Sequence, residues 1–516
     1  MSGRSDGWVS YSSQSTVSGA PIPGAVGVEG RPELADVGRL ARRALRGAVA
    51  AARADERVTF SRLLLDHLGP AGADLAVVEE RWRPYEHVNV QAGLDAWLDA
   101  PGRTHGLIGV LGFQHRMFGL AEMLRHGGEE GGYGLQPGNV SRVNLPCGPG
   151  GAVRPCVLCG VYLVGEGDRR AALLLHQSEH MPVVEIQAVS TEPGYAAEAI
   201  AEIRRLTTER NVFRGQVLSF QQEVFGPGQP LLHFHHRPTM QAAQLILAPG
   251  VLDALERQVV TVTRHKQQLL AAGQHIKRGV LLFGPPGVGK THTVRYLVSS
   301  LTETTVIELS GNALHLVGEA CSIARALQPA MLVVEDVDLI AEERGMHPGH
   351  HPLLFQLLNE MDGLDEDADI VFVLTTNRPD LLEPALAARP GRVDQAVELM
   401  LPDAAARRGL FDLYRGDLDV DLSRVEDVMN RTEGTTASFI KELLRRSAVL
   451  AADHADDSGS PDQPILVSAD DLDAALDELL DTRNAMTRVL LGSAGSSPTP
   501  GVVPPGPGFA PWPHGR

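Results

Sequence analysis

At 516 residues the chain is too long for one core of ordinary size, so length predicts two or three domains. Hydrophobic residues make up 43% and charged residues 21%, an ordinary globular balance that argues against a disordered or membrane-embedded class. The net charge of −18 disfavours a general nucleic-acid binder, which needs a surplus of Lys and Arg to release counterions.

The start, MSGRSDGWVS, lacks the apolar core of a signal peptide, and GLIGVLGF at 106–113 is cut off by Gln114, His115 and Arg116. No membrane helix is therefore expected. The four cysteines, Cys147, Cys156, Cys159 and Cys321, are too sparse for a disulfide framework, which fits a reducing cytoplasm. Residues 1–33, rich in Ser, Gly and Pro, and the Pro/Gly tail over 491–516 read as flexible ends.

Residues 34–230 read as a mixed α/β domain. VGRLARRALRGAVAAARAD (37–55) and FSRLLLDHL (60–68) have helical spacing. CVLCGVYLVG, AALLLHQ and PVVEIQAVS read as strands, GYAAEAIAEIRRLTTERN (194–211) as an amphipathic helix, and GQVLSF as a short strand after it. Cys156 and Cys159, with Cys147 nearby, have two readings, a metal site or a plain strand. The strand is favoured, because i and i+3 face opposite sides and no second Cys pair exists. The histidine groups His233, His235, His236 and His347, His350, His351 read first as solvated loop residues, with metal binding or pH sensing as the alternative.

From about residue 240 strand-like and helical runs alternate: GVLLF, TTVIELS, MLVVE and DIVFVLTTN, with a helix between each and the next, and then QAVELML. That alternation predicts a parallel sheet wrapped by helices over 240–403. Residues 404–490 read as helices only, a small helical lid, with Ser468 as a helix N-cap.

Between GVLLF and its helix lies GPPGVGKTH: Gly284, Pro285, Pro286, Gly287, Val288, Gly289, Lys290, Thr291 and His292. This is the G-x-x-x-x-G-K-[ST] loop in its expected place between strand and helix. The glycines let backbone N–H groups approach phosphate oxygens, and the helix N-terminus adds a positive dipole end. Lys290 supplies a point charge to the β- and γ-phosphates, and Thr291 a hydroxyl for Mg²⁺. Lysine occurs only at 266, 277, 290 and 441, which makes its place at 290 notable. A plain Gly/Pro turn would explain the glycines but not the Lys-Thr pair.

The strand LVVEDVD ends in Glu335, Asp336 and Asp338. It is expected beside the phosphate-loop strand, with its acids holding the Mg²⁺ shell and orienting a water for attack on the γ-phosphorus. Asp338 could instead serve only as a cap for the following helix. Asn377, at the end of DIVFVLTTN, is placed to hold the attacking water. Arg389 and Arg392 in RPGRVD read as a surface turn or as arginine fingers reaching the nucleotide of a neighbouring subunit.

Taken in order, GPPGVGKT, LVVEDVD, NEMDGL, LTTNRPDLLEPAL and RPGRVD resemble the Walker A, Walker B, connecting helix and second region of homology of the AAA ATPase family over roughly 240–485. The resemblance implies an αβα ATPase core with a helical lid, hydrolysis of Mg-ATP, and a homo-oligomeric ring, commonly of six subunits. It makes Asn377 the first sensor and sets Arg389 and Arg392 in trans. It also brings Gly434 and Ala437 near the adenine. The usual acid order, Asp then Glu, is reversed here. Position for position, Glu335 serves the metal together with Thr291, and Asp336 polarises the water. The reversed pair and RVD are similar to the branch containing the mitochondrial Rieske-protein translocase.

Relative to AAA unfoldases, the stretch from Gly311 to Glu335 is shorter by about two to three helical turns. LHLVGE is then either a relic of the pore loop, with His315 and Leu316 where an aromatic is expected, or the helix before MLVVE. The helix is favoured, since Leu314, Val317, Cys321 and Ala324 share one face. The N-terminal half is similar to uncharacterised domains ahead of AAA modules in bacterial proteins, which implies a partner or substrate adaptor. The expected function is ATP-driven remodelling of a protein partner held by residues 34–230. The alternative is a slow, non-threading switch of assembly or docking, and charge disfavours a nucleic-acid loader.

Overall fold

Apolar runs buried on both faces build the middle of the first sheet. The computed structural model describes residues 59–115, 118–125, 135–177, 183–222, 230–339, 352–365, 367–382, 393–454 and 465–481. The strands are β1 (Val78–Trp82), β2 (Arg103–Leu111), β3 (Gln136–Gly138), β4 (Ser141–Pro146), β5 (Val153–Glu166), β6 (Arg169–Gln177) and β7 (Val184–Ser190). They are antiparallel in the order β1-β7-β6-β5-β2-β3, with β4 also on β5. In β6, Ala171, Leu173 and Leu175 point to one core, while Ala172 and Leu174 point to the other. Both faces are therefore covered. Helices α1 (Phe60–Leu68) and α3 (Leu120–Arg125) lie on one side; α2 (His87–Leu98) and α4 (Tyr195–Glu209) lie on the other. The α1 boundaries match the periodicity, and Thr59 Oγ1 caps it by accepting from the N–H of Arg62. Cys156 and Cys159 bury into different cores, as their strand spacing requires. Among the described residues no cluster of three His, Cys, Asp or Glu could hold a metal ion.

Continuous apolar runs build the second sheet, as expected for strands buried on both faces. Its strands are β8 (Val217–Gln222), β9 (Pro230–His235), β10 (Arg278–Phe283), β11 (Thr305–Leu309), β12 (Ala330–Val334), β13 (Ile370–Thr376) and β14 (Gln395–Glu398). The order is β14-β10-β13-β12-β11-β8-β9, parallel except for the β8–β9 hairpin. Helix α5 (Lys290–Ser300) covers one face; α6 (Val317–Ala326) and α7 (Pro352–Asp362) cover the other.

Two findings differ from the sequence expectation. The acid-tipped strand β12 does not lie beside the phosphate-loop strand β10, because β13 lies between them. All seven residues of β13 and all five of β12 are buried, which suits both to the interior of the sheet, and the Asn377 end of β13 falls between the loop and the acids. The strand in GQVLSF, read with the first region, hydrogen-bonds to β11 of the second sheet.

Helices α8 (Ala404–Arg415), α9 (Val425–Arg431), α10 (Ala437–His454) and α11 (Ala469–Leu480) enclose a separate core around Phe411, Phe439, Leu443 and Leu476. Ser468 Oγ caps α11, accepting from the N–H of Asp471 at 3.1 Å. The lid is not wholly helical: Asp419–Val420 and Leu466–Val467 form a two-residue parallel pair, which ties the starts of α9 and α11 together. Among the described residues no helix is long and apolar enough to cross a membrane.

Candidate active site

Six parallel strands of the second sheet end at one edge, and the polar residues of the sequence motifs collect there. The loop after β10 turns through Gly284, whose φ is +145° and whose place a Cβ would contest at 2.2 Å from the carbonyl oxygen of Leu399. Only glycine fits that approach. At the helix entry Gly289 has φ +109°, so the chain turns sharply and presents the first N–H groups of α5 to the cleft.

Lys290 comes next and is 8% exposed. Its Nζ donates to the carbonyls of Gly284 and Pro285 at 2.8 and 2.9 Å and to Asn377 Oδ1 at 2.7 Å. Burial lowers its pKa, while Asp336 and Asp338 act in the opposite sense and favour the charge. Asn377 then passes the contact on, its Nδ2 donating to Asp336 Oδ1 at 3.2 Å. The loop, β13 and β12 are thus joined in one run, Lys290–Asn377–Asp336.

Asp336 is left-handed, with φ 51°, the one non-glycine residue with positive φ among the described residues. Such a conformation costs on the order of 1 kcal/mol and persists only where neighbours hold it. Here the N–H of Asp336 donates to Thr375 Oγ1 at 3.0 Å. The turn exposes the Asp336 carboxylate, while the preceding Glu335 points elsewhere: its Oε1 is buried and meets no hydrogen-bond partner among the described residues. Burial, then the charge of Glu335, raises the pKa of Glu308 on the neighbouring strand β11. A carboxylate oxygen left without a donor in this setting suits a cation or its water, and the glycine cradle suits phosphate.

Asp338 reaches across to β13 and the residue after it. It is 7% exposed, and its Oδ1 accepts from the Thr376 hydroxyl at 2.7 Å and from the N–H of Asn377 at 3.3 Å. It fixes the backbone that carries Asn377. Thr375, Thr376 and this role of Asp338 escaped the sequence reading; the only signal was the pairing of LTTN with a third acid two residues after Asp336.

The lid closes one side. The N–H and hydroxyl of Ser438, at the start of α10, donate to the carbonyl of Gly287 at 3.2 and 3.4 Å. Beside this contact is a largely apolar cavity of about 320 Å³, lined by Ile246, Leu247, Val288, Leu399, Leu410 and Ala437 among others. Gly434 is not in its lining; it has φ +75° in the turn before α10. His292, whose pKa burial lowers, has Lys441 of α10 nearby. The far end of α5 is held as well: the Arg237 guanidinium donates to the carbonyls of Val298, Leu301, Gly215 and Thr304 at 2.7–3.1 Å. Arg389 and Arg392, and the histidines at 347, 350 and 351, lie outside the described residues.

The family model of the ATPase family associated with various cellular activities (AAA) matches residues 280–401. The chain is 33% identical over 248 residues to the ATP-dependent zinc metalloprotease FtsH 1 of Sphaerobacter thermophilus, covering 44% of this chain and 37% of that protein. It is 34% identical over 223 residues to FtsH of Thermus thermophilus, covering 39% and 35% respectively. A longer match, 28% identical over 340 residues, is to FtsH 3 of Symbiobacterium thermophilum and covers 58% of this chain and 53% of that one. The chain thus spans between 35 and 53% of the length of these relatives. Their names include a zinc protease, but the H-E-x-x-H run on which such sites are commonly built does not occur in this sequence. In its motifs and in this match, the chain carries an ATP-hydrolysing AAA domain of the P-loop class.

Proposed function

We propose that the chain hydrolyses Mg-ATP in this cleft as a homo-oligomer, a six-membered ring on the family's pattern, and applies the turnover to a protein partner held by the first sheet and its helices. The observation that carries the reading is the run Lys290–Asn377–Asp336 across the edge of the parallel sheet. Bound Mg-ATP would supply the scissile phosphoryl bond and a cation to neutralise its charge. The loop N–H groups and Lys290 hold the phosphates. Thr291 and Glu335 hold the metal through water, which suits the unpartnered Glu335 oxygen. Asp336, exposed by its left-handed turn, takes the proton of the attacking water, and Asn377 orients that water. The apolar cavity beside Ala437 takes the base. Arg389 and Arg392 complete the site from the neighbouring subunit.

A second reading, a non-threading switch, is favoured by one observation. Leu314, Val317, Cys321 and Ala324 are each at most 4% exposed and pack in the core under β11 and β12. The segment where a gripping loop would stand is thus used for packing.

The test is the Mg-dependent ATPase rate per subunit against protein concentration. A rate that climbs and then saturates supports a site completed between subunits. A rate independent of concentration contradicts it, and one that is also very low favours the switch.

A further inference from the structure

Between the C-terminal half of α2 and strands β2, β4 and β5 of the first sheet lies a second cavity, of about 490 Å³. Its lining is mostly polar, and its charges are sorted by wall. The helix wall carries Asp95 and Asp99; the strand wall carries Arg142, Arg154 and His105. The floor is built from buried polar groups, Gln91 and Tyr162, each 3% exposed.

Gln91 is fully used in holding that floor. Its Oε1 accepts from the N–H of Val157 at 2.9 Å, and its Nε2 donates to Asp95 Oδ1 at 2.7 Å and to the Tyr162 hydroxyl at 3.4 Å. Asp95 Oδ2 also pairs with Arg154 at 2.7 Å. The Tyr162 oxygen accepts from Gln91, so its own proton remains to be donated, and burial pushes its pKa up to about 12, which keeps it a donor at neutral pH. Once Asp95 and Arg154 are paired, one cation is left on the strand wall and one anion on the helix wall. Arg142 and Asp99 make no side-chain hydrogen bond or ion pair with any described residue. A preformed polar floor under two opposed, unspent charges is the arrangement of a binding site and not of a packing defect.

We infer that this cleft binds a small zwitterion of the α-amino-acid class, its carboxylate against Arg142 with the Tyr162 hydroxyl donating to it, and its ammonium against Asp99. A free amino acid and a short unblocked peptide share that chemistry. The cleft also has a route to the rest of the chain. Helix α2, its acidic wall, carries Asn89, whose Oδ1 accepts from the N–H of Val212 just ahead of β8 in the ATPase sheet.

The test is equilibrium dialysis of the full chain against labelled free amino acids and, separately, unblocked di- and tripeptides. At least one is expected to bind saturably with a Kd below about 1 mM. Acetylating the amine or amidating the carboxylate should each weaken binding by about tenfold or more, as should Arg142→Ala and Asp99→Asn. Both residues are exposed, so the variants should melt with the parent chain. Lys290→Ala should leave this binding unchanged, which separates the inference from the reading of the ATPase cleft. Binding by the amino acids alone or by the peptides alone tells the two sources apart, and either supports the site. No saturable binding by any of them at 10 mM (about ten times the expected Kd), or binding that survives both blocking groups or both variants, overturns it.

Discussion

The two seven-stranded sheets place their polar residues in opposite ways. In the second sheet the central strands are parallel, so each apolar run ends at the same edge. Lys290, Asp336, Asp338 and Asn377 come after three different strands, yet they are joined there by hydrogen bonds. In the first sheet neighbouring strands run in opposite directions, so strand ends are shared between two edges. Its polar cluster forms instead on a face, beside a helix, from side chains within the strands, such as Tyr162 of β5 and His105 of β2. Parallel order builds a site from the loops at the strand ends; antiparallel order builds one from side chains within the strands.

That comparison can be broken most sharply at Lys290. Lys290→Ala removes the charge that faces the cleft and should weaken nucleotide binding by about 100-fold or more, measured with a fluorescent ATP analogue. Retained affinity would mean that the convergent edge is not a phosphate site. Asp336→Asn should bind nucleotide as the parent does and lose turnover by about 10²–10⁴-fold, the usual contribution of a general base. If Glu335→Gln alone gave that pattern, the roles assigned to the two acids would be reversed. Asp338→Asn should be milder, lowering kcat by about tenfold with little change in KM, because it loosens the backbone of Asn377 without touching nucleotide. A change in KM alone would contradict that positioning role.

The smallest effect concerns the first sheet. His87 is fully buried on α2 and its Nε2 donates to the carbonyl of Val157 at 2.9 Å. Burial lowers its pKa below the usual histidine value. The unfolded chain therefore takes up the proton first, so stability is intact above about pH 6.5 and falls as pH drops below it. Hydrogen-exchange protection factors in β5 and β6, which take out the pH dependence of intrinsic exchange, should fall in that range, and His87→Gln should flatten the dependence. An unchanged slope in the variant would remove His87 from the account.

Much of this was legible in the residues. Helix α1 matches its periodic run, Ser468 caps α11 as its place before two aspartates suggests, and GPPGVGKT joins a strand to a helix as its spacing led one to expect. The features that escaped were non-local. MLVVE and DIVFVLTTN are both apolar runs, and nothing in either says which one pairs with GVLLF. That choice is made by packing: both runs are wholly buried, and the longer β13 takes the place next to β10. GQVLSF would read as a strand in either sheet. The contact of Asp338 with Thr376 and Asn377 escaped because those partners lie about forty residues away.

The central claim is that the parallel edge hydrolyses ATP with Asp336 as the proton acceptor. Phosphate release in Mg²⁺, measured side by side for the parent chain and Asp336→Asn at matched nucleotide occupancy, tests it most directly. The account predicts steady release by the parent and none above background by the variant. Release by the variant at the parent's rate, or none from the parent at any protein concentration, would contradict it.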